Sequence, residues 1–400
     1  MKPIEIKKGI CSIRVNHFNR KLFDALIPLP DGTSYNSYLV KGEKYTCLID
    51  TADPEKKDVF LDYLSKVSKI DFVVSHHAEQ DHSGLLPEVL KLYPSAVVVT
   101  NAKCKDLLMT HLHIAENKFK VIQDGETLDL GGKTLEFIFT PWVHWPETFS
   151  TYLREDKILF PCDFFGSHLA TDELLADSQI IYEPMKRYFA EIMMPFRSNI
   201  KNNLEKLSKY EIELICPSHG PIHKDVKFAV DCYKDWALSE PKNKALLLYV
   251  SMHGSTFVLI NRLASRLQEH AVEIEKLNLE DADTGRVAMA MVDSATIVLA
   301  TPTVLAGPHP KAIYGAYLAS LLRPKVKFLA VMYSYGWGGK TVEFLSNILS
   351  ALKAEIIGQV GVKGLPTEND LKLVDELAVS IAEKHSSLKK ERVLCEKEEK

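Results

Sequence analysis

Beyond residue 240 the chain changes texture, and that change restricts the fold more than any single motif. Five apolar runs, "ALLLYV", "AVEIEKL", "ATIVLA", "KFLAVMY" and "AEIIGQV", are each followed by a loop and a helix-patterned segment. Parallel neighbours in a sheet need a long crossover, which a helix supplies. The alternation therefore predicts a doubly wound, parallel five-stranded sheet. The polar stretch "SEPKNK", residues 239–244, contains Pro241 and reads as a linker into it. A chain of 400 residues is long for one core, so two domains are expected. Their bounds read as 1–242 and 243–388, with the charge-dense residues 389–400 as a solvated tail.

The first part is built differently. "YNSYLV", "YTCLID", "FVVSHH", "AVVVT", "TLEFIFT" and "KILFPCD" read as short strands. Asp31-Gly32, Asp124-Gly125 and Gly131-Gly132 mark turns between them. Helical stretches fall at 55–67, 83–93 and 199–208, which gives a mixed layout and no strict β-α-β order.

Composition excludes several classes. With 46% hydrophobic and 26% charged residues the chain reads as globular. A formal net charge of -4 gives no reason to expect nucleic acid or an anionic membrane as partner. No uncharged apolar run approaches the roughly 20 residues of a membrane span, and the amino terminus lacks a signal-peptide core. The seven cysteines are scattered, with no C-x-x-C pair. That pattern suits reduced thiols in the cytoplasm and excludes a fused rubredoxin or ferredoxin module.

The chemistry concentrates at strand ends. "SHHAEQDHSG", residues 75–84, follows the apolar "IDFVV". His77 and Glu79 are two apart, so an extended backbone throws both to one side, and Asp81 and His82 follow in a turn. His144 in "TPWVHWPET", Asp163 in "PCDFFGSH" and His219 in "CPSHG" also come just after strand-like runs. Seven candidate ligands are too many for one tetrahedral metal but suit two metals with a bridge, for which the isolated Asp163 is the natural candidate. A single histidine after a strand is ordinarily a hydrogen-bonded residue, and His111, His113, His223 and His270 are read that way. Glu79 decides the metal type: carboxylate oxygens added to imidazole favour iron or manganese, where a zinc hydrolase would favour imidazole.

These four segments resemble the amino-terminal module of flavodiiron proteins, or A-type flavoproteins. The resemblance implies an αββα metallo-β-lactamase-like sandwich with a non-haem diiron centre. It implies one iron on His77, Glu79 and His144, the other on Asp81, His82 and His219, and Asp163 bridging. Gln80 stands where many relatives carry proline. His168 and Tyr188 are candidates to line the centre from behind, with ordinary packing as the competing reading.

A second constellation lies in the later part. "LLLYVSMHGSTFVL" is a strand, a hydroxyl-rich loop and a helix start. Backbone N–H groups there face an anion, Ser251, Ser255 and Thr256 add hydroxyls, and Gly254 permits close approach. Met252 and His253 complete the loop. Neither a P-loop nor G-x-G-x-x-G is present, which favours a monophosphate, with a plain capped helix as the competing reading of this loop taken alone. Two further strand-end loops converge on the same edge: Thr301, Pro302, Thr303 and Val304, and then Ser334, Tyr335, Gly336, Trp337, Gly338 and Gly339. Tyr335 and Trp337 suit stacking on a flat heterocycle. The order of loops resembles the flavodoxin-like domain of the same family, which implies FMN. Val304, Leu305 and Ala306 replace the asparagines that relatives often carry.

Together the two resemblances cover nearly the whole chain. They imply an oxidoreductase that reduces O2 to water, NO to N2O, or both, with electrons relayed through FMN. They imply a head-to-tail homodimer or a dimer of dimers, and a separate donor: rubredoxin, F420 or an NAD(P)H-linked reductase. The rivals are a dizinc hydrolase with an accessory flavodoxin domain and a plain electron carrier.

Overall fold

A computed structural model describes residues 2–398, with side chains through residue 388; the side chains of the charged tail at 389–400 lie outside the described residues. The chain divides into two compact units, 1–189 with 196–238, and 190–195 with 239–400.

The first unit holds, in chain order, β1 (Ile4–Lys7), β2 (Ile10–His17), β3 (Leu22–Phe23), β4 (Ile27–Pro28), β5 (Thr33–Lys41), β6 (Thr46–Ile49), β7 (Phe72–Val74), β8 (Val97–Thr100), β9 (Phe119–Val121), β10 (Thr127–Asp129), β11 (Thr134–Phe139), β12 (Phe149–Leu153), β13 (Ile158–Phe160) and β14 (Leu214–Ile215). One seven-stranded sheet runs β1-β2-β5-β6-β7-β8-β9, a five-stranded sheet runs β10-β11-β12-β13-β14, and β3 and β4 form a separate hairpin.

The period of two along each strand builds the layers. Leu48, Val73 and Val98 face one way, onto Phe60 and Leu64, Leu86 and Val89, and Cys104 and Leu108 of three helices. Their neighbours Ile49, Val74 and Val99 face the other way, onto Phe137, Phe149, Ile158 and Phe160 of the second sheet. Because β7 and β8 are covered on both faces, they read as unbroken valine runs, as central parallel strands do. Helices Arg197–Leu207 and Val226–Leu238 follow in the same unit. The lysine side chain of Lys206 reaches Asp124 and the carbonyl of Phe139 at the end of β11, each at 2.8 Å. The result is the expected αββα sandwich.

The second unit contains β15 (Lys242–Tyr249), β16 (Glu273–Asn278), β17 (Ser294–Val304), β18 (Gly307–Pro308), β19 (Phe328–Tyr335) and β20 (Glu355–Lys363). The sheet order is β16-β15-β17-β19-β20, all pairs parallel, with β18 folded back on β17. This is the 2-1-3-4-5 doubly wound order, whose switch point lies between its first and third strands. One face packs Ala245, Leu247, Val298 and Met332 against helices Ser255–Glu269 and Glu368–Glu398. The strand begins at Lys242, three residues inside the segment read as linker. Lys244 lies in register with Glu273, and its ammonium meets Glu275 at 2.7 Å, so a paired, half-exposed strand end looks polar in sequence.

No helix among the described residues is long and apolar enough to cross a membrane. The six described cysteines are free thiols.

Candidate metal centre and flavin cradle

After β7 the chain stays extended to Glu79 (φ -61°, ψ 144°) and then turns into the short helix Gln80–Ser83. The extended stretch puts His77 and Glu79 on one side, and the helix lifts Asp81 and His82 to the same spot. Ser83 Oγ donates to the carbonyls of Ala78 and Glu79 at 2.8 and 2.9 Å, and Thr51 holds the His82 carbonyl with its N–H and its hydroxyl, both at 2.7 Å. Asp163 arrives three residues after β13, and His144 comes from the loop between β11 and β12. His219 follows β14, beside Gly220 (φ 79°), where a Cβ would sit 2.0 Å from Ser167 Oγ. Only glycine fits there.

Asp163 is the centre of the cluster. Its Oδ1 lies 3.1 Å from His82 Nε2 and 3.2 Å from His219 Nε2, and its Oδ2 lies 3.8 Å from His77 Nε2 and 3.6 Å from His144 Nε2. The other two carboxylates divide the imidazoles. Glu79 Oε2 stands 2.9 Å from His77 and 3.1 Å from His144, whereas Asp81 stands 3.4 Å from His82 and 3.1 Å from His219. All seven candidate residues are thus brought together, as two cups that share Asp163: His77, Glu79 and His144 on one side, Asp81, His82 and His219 on the other.

The cups attract cations. Burial alone would push these imidazoles down, yet Glu147 and Glu79 lift His77 to about 9. Asp163 and Asp81 likewise lift His82 and His219 to about 10 against burial. Burial opposes ionisation of Glu79 and Asp163, but the facing imidazoles hold both below the usual carboxylate range. Both oxygens of Asp81 and Oδ2 of Asp163 are buried and accept no hydrogen bond. Buried carboxylate oxygens without donors are costly, and metal ions among them would remove that cost. The donor set therefore fits two cations.

Aromatic rings wall the cluster. Trp145 stands edge-on to His77 at 4.7 Å, and Tyr35 to His219 at 6.0 Å. Tyr188 Oη donates to Asp163 Oδ1 at 2.9 Å. His168 lies with its ring 5.3 Å from that of His219 and pairs its Nδ1 with Thr33 Oγ1 at 3.0 Å; its Nε2 has no partner. Burial holds the His168 imidazole well below its ordinary range, so it is neutral.

In the second unit, Met252, His253, Ser255, Thr256, Pro302, Thr303, Ser334, Tyr335 and Gly336 line one depression at the carboxyl ends of β15, β17 and β19. Gly364 and Leu365, just past β20, line it too and were not foreseen. Gly254 (φ 89°) starts the 15-residue helix Ser255–Glu269 and offers no side-chain cap of its own. Ser251 Oγ accepts only from Phe257 N–H, at 3.2 Å. Thr256 and Ser334 share a hydroxyl contact of 3.0 Å. A Cβ at Gly254, Gly336 or Gly338 would meet nothing within 4 Å, so the chain leaves open space on the loop side. A helix that starts on glycine, hydroxyls and open glycine loops suit an anion joined to a flat ring. Ser251, Gly254, Thr301, Val304, Trp337, Gly338 and Gly339 border the depression in sequence without lining it. Trp337 is 71% exposed and Leu305, at the turn between β17 and β18, is 93% exposed.

Comparison with known proteins matches this fold. The profile of the ODP family beta lactamases matches residues 33–220. The nitric oxide reductase of Moorella thermoacetica is 31% identical over 95% of this chain and 98% of its own length. Flavo-diiron protein FprA2 of Clostridium acetobutylicum is 31% identical over 93% of this chain and 97% of its own. Both units are covered in each case. The chain belongs to the flavodiiron protein family. The solved structure of rubredoxin oxygen:oxidoreductase from Desulfovibrio gigas superposes with a TM-score of 0.93 and 27% identity, covering 96% of this chain and 99% of the other.

Sequence reasoning missed most of the residues that stand behind the cups of this flavodiiron chain. Glu147 accepts from His77 Nδ1 at 2.8 Å; its signal was a carboxylate three residues after His144 in "HWPET". Asp50, at the end of β6, takes the N–H and Nδ1 of His76 at 2.9 and 2.7 Å and braces the loop from beneath. Asp24, on the β3–β4 turn, has its carboxyl raised to about 6 by burial and by Glu79 beside it. No local pattern marks Asp24.

Proposed function

We propose that this flavodiiron protein reduces O2 to water, NO to N2O, or both, at paired irons held by His77, Glu79, His144, Asp81, His82, His219 and the shared Asp163, with FMN in the cradle of the second unit. The observation that carries the reading is Asp163, whose two oxygens each face two imidazole nitrogens between 3.1 and 3.8 Å away. Bound iron would supply redox equivalents and open positions for a diatomic gas, and FMN would supply electrons singly.

The chain's residues do the rest. Glu79 and Asp81 give each cup its own carboxylate, which favours iron over zinc. Glu79 stands where a dizinc hydrolase would carry imidazole, and this weighs against that rival. Tyr188 fixes one oxygen of Asp163 by its hydroxyl. Trp145 and Tyr35 exclude bulk water around the imidazoles. The helix start at Ser255 and the hydroxyls of Ser255 and Thr256 would hold the FMN phosphate, and Tyr335 would pack on its ring.

The reading includes a separate electron donor of the rubredoxin, F420 or NAD(P)H-linked kind, a head-to-tail homodimer, and a cytoplasmic setting, which the six free thiols favour. The test is gas consumption under anaerobic control with a chemical reductant, with iron and FMN measured on the same sample. Turnover of O2 or NO that scales with iron supports the reading; zinc at full occupancy with hydrolytic activity, or no turnover with both cofactors loaded, refutes it.

A further inference from the structure

The two cups differ in what stands behind their histidines. His77 donates its Nδ1–H to Glu147 Oε1 at 2.8 Å, and that carboxylate side chain is 0% exposed. The same oxygen takes the Ala78 N–H at 3.2 Å, while Oε2 accepts nothing. Asn101 Nδ2 holds the Glu147 backbone carbonyl at 2.6 Å, so the residue is fixed in place. On the other side, His219 Nδ1 donates to the backbone carbonyl of Ser34 at 2.8 Å, and His82 Nδ1 faces Cys162 Sγ at 3.9 Å. Cys162 is a buried thiol, a weak acceptor. Asp50, another buried carboxylate nearby, is hydrogen-bonded to His76, whose Nε2 meets Thr151; it acts on His82 of the second cup only through space. One cup therefore has a carboxylate hydrogen-bonded directly to an imidazole, and the other has a carbonyl and a thiol in that place.

We infer that Glu147 is a positioning residue that makes the two metal positions unequal, so that the metal held by His77, Glu79 and His144 is the more tightly bound. The inference rests on the diiron reading above. A carboxylate behind an imidazole fixes the tautomer with Nδ1 protonated, leaves Nε2 bare toward the metal, and raises its basicity. Leaving aside the shared Asp163 and the exposed Asp24 beside Glu79, the first cup carries two carboxylates, Glu79 and Glu147, and the second carries Asp81 alone. Both effects act in a buried site, where charge is poorly screened.

The test uses the full-length iron-loaded protein and its Glu147→Gln variant. Glutamine keeps an oxygen that accepts from His77 and Ala78 but removes the charge, so it separates electrostatics from packing. Both proteins are reduced anaerobically and challenged with excess ferrous chelator. The wild type is expected to release its iron in two phases of equal amplitude. Glu147→Gln is expected to speed the slow phase by roughly 10–100-fold and leave the fast phase unchanged. Mössbauer spectra of the wild type are expected to show two ferrous doublets, of which the variant shifts one. Equal acceleration of both phases, no acceleration, or a single phase with one doublet in the wild type overturns the inference. If the variant does not fold, a single release phase with one doublet in the wild type still overturns the inference. A chain that binds no iron at all overturns the proposed function together with this inference, whereas two irons released alike overturn this inference only.

Discussion

Gly254→Ala isolates one term in flavin binding. Gly254 has φ 89° and ψ -23° and starts the helix Ser255–Glu269. An alanine Cβ there would meet no heavy atom within 4 Å. Crowding is therefore absent, and the whole penalty is the backbone preference of an L-residue, about 1–2 kcal/mol for the left-handed region. The free loop is able to relax away from this conformation, but a bound phosphate requires the helix N–H groups aligned, so most of the penalty falls on the complex. At 1.4 kcal/mol per factor of ten, the FMN dissociation constant rises by roughly 5–30-fold. Titration of the flavin-free protein with FMN, read by flavin fluorescence quenching, measures this directly, and iron content serves as the internal control. Gly338→Ala, whose Cβ also meets open space, tests the opposite case. It costs the free protein little, so any loss of FMN affinity reports contact with the flavin itself. A Gly254→Ala protein with FMN affinity within twofold of wild type would refute the assignment of this loop as the phosphate cradle.

Three further outcomes are expected. Glu79→Ala or His144→Ala each removes a ligand from one cup; turnover falls at least roughly 100-fold, while the FMN absorption spectrum stays intact. Phe60→Ala empties a fully buried position between the helix Lys57–Leu64 and the first sheet, which destabilises the first unit by about 3–5 kcal/mol in chemical denaturation. In the second unit, Asp375 pairs with both Arg262 and Arg266, and those hydrogen bonds lower its carboxyl to about 2 from 3.8. A depressed carboxyl stabilises the fold above its unfolded value and loses that contribution as pH falls from about 4 to about 2. Asp375→Asn should therefore lower Tm at pH 6 and converge with the wild type near pH 2; a constant difference across that window would contradict the pairing.

Strands β5, β6, β7, β8, β11 and β13 and the five parallel strands of the second unit were legible because each carries an apolar run, whereas β1 to β4, β9, β10 and β12 were not foreseen; the candidate cups were legible because their residues sit three to eight positions past the ends of β7, β11, β13 and β14. His77 with Glu79, Asp163 after "KILFPC" and His219 after "ELICPS" all follow that pattern. The start of β15 was hidden. Lys242 and Lys244 are strand residues whose charges are met by Asp293 and Glu275, and a charged strand end has the same composition as a linker. Glu147 was hidden for another reason. Its role depends on the Nδ1 side of His77, 70 positions earlier, and no periodicity links two residues that meet only when the sheets pack. Leu305 shows the limit from the other direction. The apolar "VLAG" folds into a tight turn whose tip is 93% exposed, so its hydrophobicity marks neither strand core nor ring contact within this chain.

The central claim is that Asp163 lies between two irons. Anomalous diffraction from crystals of anaerobically purified protein, collected on both sides of the iron and zinc absorption edges, tests it most directly. The account predicts two iron peaks per chain flanking the Asp163 carboxylate, one beside Glu79 and one beside Asp81. A single peak, or paired peaks that respond only at the zinc edge, would contradict it.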